Sequence, residues 1–152
     1  VLGDPREAAE VYLLAKLSAL TTADGLPQAF RLVTRELTHL NDIKAGSLPC
    51  ALLQMEEPEV TPKLSKIIEV RLPGRIIMCF PNSTALPAST ANTYRAVIEK
   101  MLLSDVHLGG LVDGIWPTGT LMPGLWPEVG LLATGVLFQM LAEYSPLLPV
   151  VT

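Results

Sequence analysis

Apolar residues fall at helical spacing in two stretches of the chain and at strand spacing through much of the rest. The clearest run is Tyr94, Val97, Ile98, Met101 and Leu102, at i, i+3, i+4, i+7 and i+8. Asn92, Arg95, Glu99 and Lys100 lie mostly off that stripe. The spacing predicts a helix over residues 88–103, capped by Ser89 or Thr90, with one face on a sheet. A second helix is predicted over residues 4–20. Asp4 can cap it and Pro5 suits its first turn. Ala8, Val11, Tyr12, Ala15 and Ala19 give its stripe, widened by Leu14 and Leu17. The turn signal Asp24-Gly25-Leu26-Pro27 ends this unit.

Between the helices the pattern turns to strands. Residues 30–38 read as one strand, with Arg31 and Arg35 among its apolar positions. A polar connection over 39–47 leads to Leu48-Pro49, which opens a strand over 50–55. Glu56, Glu57, Pro58 and Glu59 begin a solvated loop running to Pro62. Residues 66–72 and 75–80 are rich in β-branched and aromatic side chains and read as two strands. Pro73-Gly74 between them fits the centre of a type II turn; a bulge or a kinked continuous strand remains open. A loop over 81–87 leads into the Tyr94 helix.

After that helix, Leu108-Gly109-Gly110 allows a left-handed turn. A short strand over 111–116 follows, then an apolar, Gly/Pro-rich loop over 121–127. A last strand over 129–144 is apolar on both sides of its alternation, as burial on both faces would give. Residues 145–152 form an extended tail. The whole reads as a single α+β domain over residues 1–152. It has a mostly antiparallel sheet of five to six strands and two helices packed on one face.

Composition narrows what such a domain does. Of 152 residues, 49% are hydrophobic and 17% charged, against about 25% charged in an average chain. So thinly charged a surface suggests that protein covers part of it in the working state. The net charge of −4 offers nothing global to nucleic acid. Cys50 and Cys79 each sit in an apolar run. Two cysteines form no disulfide framework, so buried free thiols in a reducing compartment are expected. The first residues lack the basic-then-apolar order of a signal peptide, and the longest apolar stretch is too short to span a bilayer. A protein without membrane attachment is expected.

Candidate chemistry is sparse. His39 and His107 have no metal-ligand neighbour at helical spacing. No phosphate loop, dinucleotide fingerprint or Gly-x-Ser-x-Gly elbow occurs. Glu56, Glu57 and Glu59 lack the alternating oxygens and central glycine of a calcium loop. Cys50 could act as a nucleophile only with a base beside it. The expectation is no enzyme, no cofactor and no metal. One segment stands out: Trp116, Leu121, Met122, Leu125 and Trp126 put large apolar side chains where a loop is predicted. They form either a subunit interface or a loop folded back on its own sheet. Glu56, Glu57 and Glu59 are further contact candidates.

The order of these pieces resembles the tail terminator, or tail completion, proteins of long-tailed bacteriophages and prophages. Ser47-Leu48-Pro49-Cys50-Ala51-Leu52-Leu53 resembles the family's Leu-Pro-led second strand, after a strand with basic residues, Arg31 and Arg35. The segment from Ser104 through Asp105 to Leu108-Gly109-Gly110-Leu111-Val112 resembles the family's turn after its second helix. Thr118-Gly119 follows downstream. The closing strand ending at Tyr144 resembles the family's last, apolar strand. The similarity spans residues 8–145; the Trp-Pro segment and the tail after Tyr144 depart from it.

The resemblance implies a non-enzymatic virion protein assembled in the host bacterial cytoplasm. Its subunits form a ring, usually a hexamer, at the head-proximal end of the tail tube. The ring stops tube polymerisation and joins the tail to the head-completion or connector protein. DNA passes through its lumen without specific binding. Two alternatives stay open: another neck component, such as a head-closure or adaptor protein, or a small α+β enzyme or ligand-binding domain that uses the Trp-Pro segment as a pocket wall with Cys50, His39 or His107.

Overall fold

A computed structural model describes residues 2–35, 42–81, 87–126 and 131–152, with backbone alone for 122–126. Two helices and six strands follow one another as α1 (Arg6–Ala19), β1 (Leu32–Thr34), β2 (Cys50–Met55), β3 (Glu59–Pro62), β4 (Ile68–Pro81), α2 (Pro87–Ser104), β5 (Gly114–Trp126) and β6 (Leu131–Tyr144). The sheet order is β1-β2-β4-β6-β5, with β3 also paired to β4. Among the described residues only β1 and β2 run parallel; the remaining pairs are antiparallel. This is the expected α+β architecture.

Its centre is the β4–β6 pair, in unbroken register from Ile68 opposite Tyr144 to Pro81 opposite Leu131. Alternation then sorts the side chains. Val70, Leu72, Ile76, Met78 and Phe80 of β4 join Val136, Phe138, Met140, Ala142 and Tyr144 of β6 in the main core beneath both helices. Residues 66–72 and 75–80 are therefore one strand, without a turn at Pro73-Gly74. Pro73 sits where the neighbour of β4 changes from β2 to β3, so its missing N–H costs no ladder bond to either strand. Gly74 is needed because the Phe138 ring lies over it: a Cβ there would be 2.5 Å from Phe138 Cζ.

The Tyr94 helix packs as its spacing predicts. Ala91, Tyr94, Val97, Ile98, Met101 and Leu102 are buried, and Tyr94 stacks on Phe80 with ring centroids 5.5 Å apart. It begins at Pro87, which places Ser89 and Thr90 inside the helix and not at its cap. In α1 the stripe is rotated from expectation. Ala9, Leu13 and Leu17 are buried, whereas Val11, Ala15 and Ala19 are exposed. Apolar residues surround this helix, so two stripes were available and the larger leucines took the core. The N-cap is Pro5, and Asp4 acts one residue earlier, its Oδ1 accepting the Arg6 N–H at 3.0 Å.

Three more boundaries differ. The acidic stretch after Met55 is not all loop, because exposed β3 pairs there with β4. The strand at Leu32 is short, and its predicted continuation over 36–38 lies outside the described residues. The Gly/Pro-rich segment expected as a loop over 121–127 is, through Trp126, the second half of β5, which runs on unbroken from Gly114; Pro127 lies outside the described residues. Register shifts between Pro117 and Gly119 and between Leu121 and Gly124 absorb its prolines and glycines. The tail turns at Ser145 and doubles back on the N-terminal segment: Ser145 N–H donates to Leu2 O at 2.9 Å and Val151 N–H to Asp4 O at 3.0 Å.

A second, smaller core lies on the sheet face away from the helices. Cys50, Leu52, Cys79, Leu131 and Ala133 are covered there by Ile43 and Leu48. This explains why the first half of β6 is buried on both faces while its second half alternates.

Candidate assembly surface

Beyond Ile43 and Leu48 the helix-free face of the sheet continues, and the strand registers fix its rows. Leu52, Ile77, Gly135 and Leu121 stand side by side, then Gln54, Arg75, Leu137 and Gly119. Next come Pro73, Gln139 and Trp116, and last Glu59, Arg71, Leu141 and Gly114. Ile77, Leu121, Leu137 and Leu141 are half-buried, and Trp116 is 38% exposed. The Trp116 ring leans over Gly114, where a Cβ would lie 3.3 Å from the indole. Arg75 donates from Nε to Gln54 Oε1 at 3.0 Å. At the rim Lys63 bridges Glu69 at 2.9 Å and Glu143 at 2.6 Å. The result is an apolar strip with a charged edge, the composition of a protein contact.

Three of the expected contact residues, Trp116, Leu121 and Glu59, thus share this face. Glu56 and Glu57 are exposed in the link between β2 and β3. Met122, Leu125 and Trp126 belong to β5, but their side chains lie outside the described residues. Nothing in the local sequence marks Leu137, Gln139 and Leu141 as members of this face. Their alternation was visible, but only the pairing with β5 shows that they flank Trp116.

The Leu108-Gly109-Gly110 turn plays a structural part. Leu108 is buried in the main core, and Gly109 and Gly110 have φ of 67° and 93°. Asp105 holds the turn. Its Oδ1 accepts the Gly109 N–H at 3.2 Å, its Oδ2 accepts the Tyr12 hydroxyl at 2.6 Å, and Lys16 Nζ stands 3.3 Å away. A Cβ on Gly109 would meet the Tyr12 ring at 3.2 Å, and its φ of 67° is one that glycine adopts without strain. The Tyr12 bond, then the Gly109 N–H and Lys16, hold the Asp105 carboxyl below its usual range, and the same bond raises the Tyr12 phenol.

A carboxylate with a depressed pKa contributes stability that is complete above its unfolded value and is lost as pH falls through the folded one. Asp105→Asn is therefore expected to lower stability near neutral pH by about 1 kcal/mol, for a partly screened charge-assisted bond. Urea midpoints of wild type and variant, measured from pH 7 down to pH 2, are expected to converge below the unfolded carboxylate value of about 3.9. A gap that stays constant with pH would remove Asp105 from this role.

A catalytic arrangement around Cys50 does not form among the described residues. Cys50 is packed against Ile43, Leu48, Leu52 and Cys79, His107 is exposed at the end of α2 with Nδ1 3.0 Å from Asp113 O, and His39 lies outside the described residues. No group of three His, Cys, Asp or Glu side chains able to hold a metal occurs among the described residues. No described helix is long and apolar enough to cross a membrane. No family model matches the chain, and no curated protein is significantly similar to it.

Proposed function

We propose that the chain is a ring-forming structural subunit of a bacteriophage neck, a tail terminator that caps the head-proximal end of the tail tube. It stops tube growth and presents a surface to the head-completion or connector protein. DNA passes through the lumen without specific contacts. The observation that carries this reading is the order of the basic strand, the Leu-Pro-led strand, the Asp-to-Leu-Gly-Gly turn and the apolar closing strand along one chain. These pieces correspond to β1, β2, the turn after α2, and β6. The apolar helix-free face around Trp116 supports it, because a ring needs a large surface committed to neighbouring subunits.

Light scattering after size exclusion, on the chain alone and mixed with tail tubes, tests the reading. Rings alone, or rings formed on tube ends, are expected. A chain that stays monomeric in both would overturn it, and rings that leave the tube ends uncapped would move it to another neck component. Trp116→Ala is expected to leave the chain folded at a cost of about 1 kcal/mol, since the indole is 38% exposed and belongs to neither buried cluster. The same substitution is expected to weaken subunit association at least tenfold, as loss of an aromatic interface anchor does. Unchanged association of the folded variant would take Trp116 out of the interface.

A further inference from the structure

We propose that Cys50 and Cys79 are a disulfide-forming pair, a dithiol that closes into a staple between β2 and β4. The two residues are direct register partners in an antiparallel ladder. Opposed residues there have Cα atoms about 4.5–5.5 Å apart, inside the window of about 4.4–6.8 Å that a disulfide bridges. Opposed side chains also leave the sheet on the same face, so both sulfurs enter the second core together. They are in mutual contact: the Cys79 thiol hydrogen-bonds to the Cys50 sulfur, which lowers the Cys50 pKa and raises that of Cys79. Either cysteine can supply the attacking thiolate, and the other then resolves the mixed disulfide.

The oxidant is a small disulfide of the glutathione class. One cysteine, as its thiolate, attacks one of the oxidant's sulfurs, forming a mixed disulfide and releasing one thiolate. The other cysteine, on losing its proton, attacks the protein sulfur of that mixed disulfide and expels the second. Two protein S–H bonds are lost, one S–S bond forms, and the oxidant is reduced to two thiols. Both cysteines are fully buried beneath Ile43 and Leu48, so entry requires that this covering segment lift. Closure then ties off a loop of about 30 residues and fixes the second core to the central strand.

The full chain, reduced, is incubated with oxidised glutathione in two arms, folded and during refolding from urea. Each is quenched in acid, denatured and treated with N-ethylmaleimide. The expected product has lost two hydrogen atoms, carries no N-ethylmaleimide, reverts with reductant, and melts about 5–15 °C above the reduced chain. Formation in either arm with that rise supports the pair. Two alkylated cysteines in both arms would overturn it, as would a closed product that melts below the reduced chain. Cys50→Ala and Cys79→Ala are each expected to show no rise in melting temperature with oxidised glutathione, and a rise in either variant would overturn the pair.

Discussion

Replacing Phe138 by alanine is expected to lower stability by about 3–5 kcal/mol, a large share of the roughly 5–15 kcal/mol that holds a domain together. Phe138 is 1% exposed and sits at the middle of β6, in the centre of the main core. Its ring lies directly on Gly74, the register partner in β4, beside the Met55 sulfur. Gly74→Ala alone is expected to cost about 1–3 kcal/mol by overpacking, because a methyl group would stand 2.5 Å from the ring and 2.9 Å from the sulfur. The two changes should be far from additive. Once the ring is gone, the new methyl group fills part of the space it left. The double variant is expected to be more stable than the sum of the singles by over 1 kcal/mol, read from urea unfolding of all four proteins. Additivity within about 0.5 kcal/mol would mean that the ring does not pack on Gly74.

The parts of the fold that were legible in sequence are those set by local pattern. The α2 stripe has one apolar face and one polar face, so its orientation was fixed before any neighbour was known. The β2 bounds, Cys50 to Met55, and the left-handed glycines after α2 were also readable. Where the local signal was double, long-range packing decided. Apolar residues encircle α1, and the core took Ala9, Leu13 and Leu17 and left Val11 exposed. Pro73-Gly74 is a turn signal by composition, yet the full-length partner β6 keeps the chain straight through it. In the same way β5 carries prolines and glycines that mark a loop in isolation, and its register shifts accommodate them against β6. The candidate surface followed this division. Trp116 and Leu121 were visible as large apolar side chains without local cover. That they share a face with Leu137, Leu141 and Glu59 depends on strand register, which no local pattern encodes. The pairing of Cys50 with Cys79 was hidden for the same reason.

Of the two glycines in the central strand pair, Gly135 is the one where substitution is expected to do more damage, and the reason separates it from Gly74. A Cβ at 135 would lie 2.9 Å from the Ile76 carbonyl oxygen and 2.9 Å from Leu121 Cδ1. The leucine can turn aside, but the carbonyl belongs to the backbone of the central strand and cannot. Movement of β5 is resisted as well. The Leu121 carbonyl accepts from Thr134 Oγ1 at 3.1 Å and from Arg95 at 3.4 Å. Gly135→Ala is expected to cost at least the 1–3 kcal/mol typical of overpacking, and Gly135→Val to exceed about 4 kcal/mol and leave little folded protein. Leu121→Ala should rescue only a minor part, because it removes the side-chain contact and not the carbonyl. At Gly74 the obstructing group is a side chain and its removal makes room; at Gly135 it is the ladder itself. Thermal unfolding of the Gly135→Ala single and double variants decides between these cases. Full rescue by Leu121→Ala would show that the Ile76 carbonyl has room to move. Because Leu121, which a Cβ at 135 would displace, lies on β5 with Trp116, the Gly135→Ala protein that remains folded is also expected to weaken the subunit association proposed for that face.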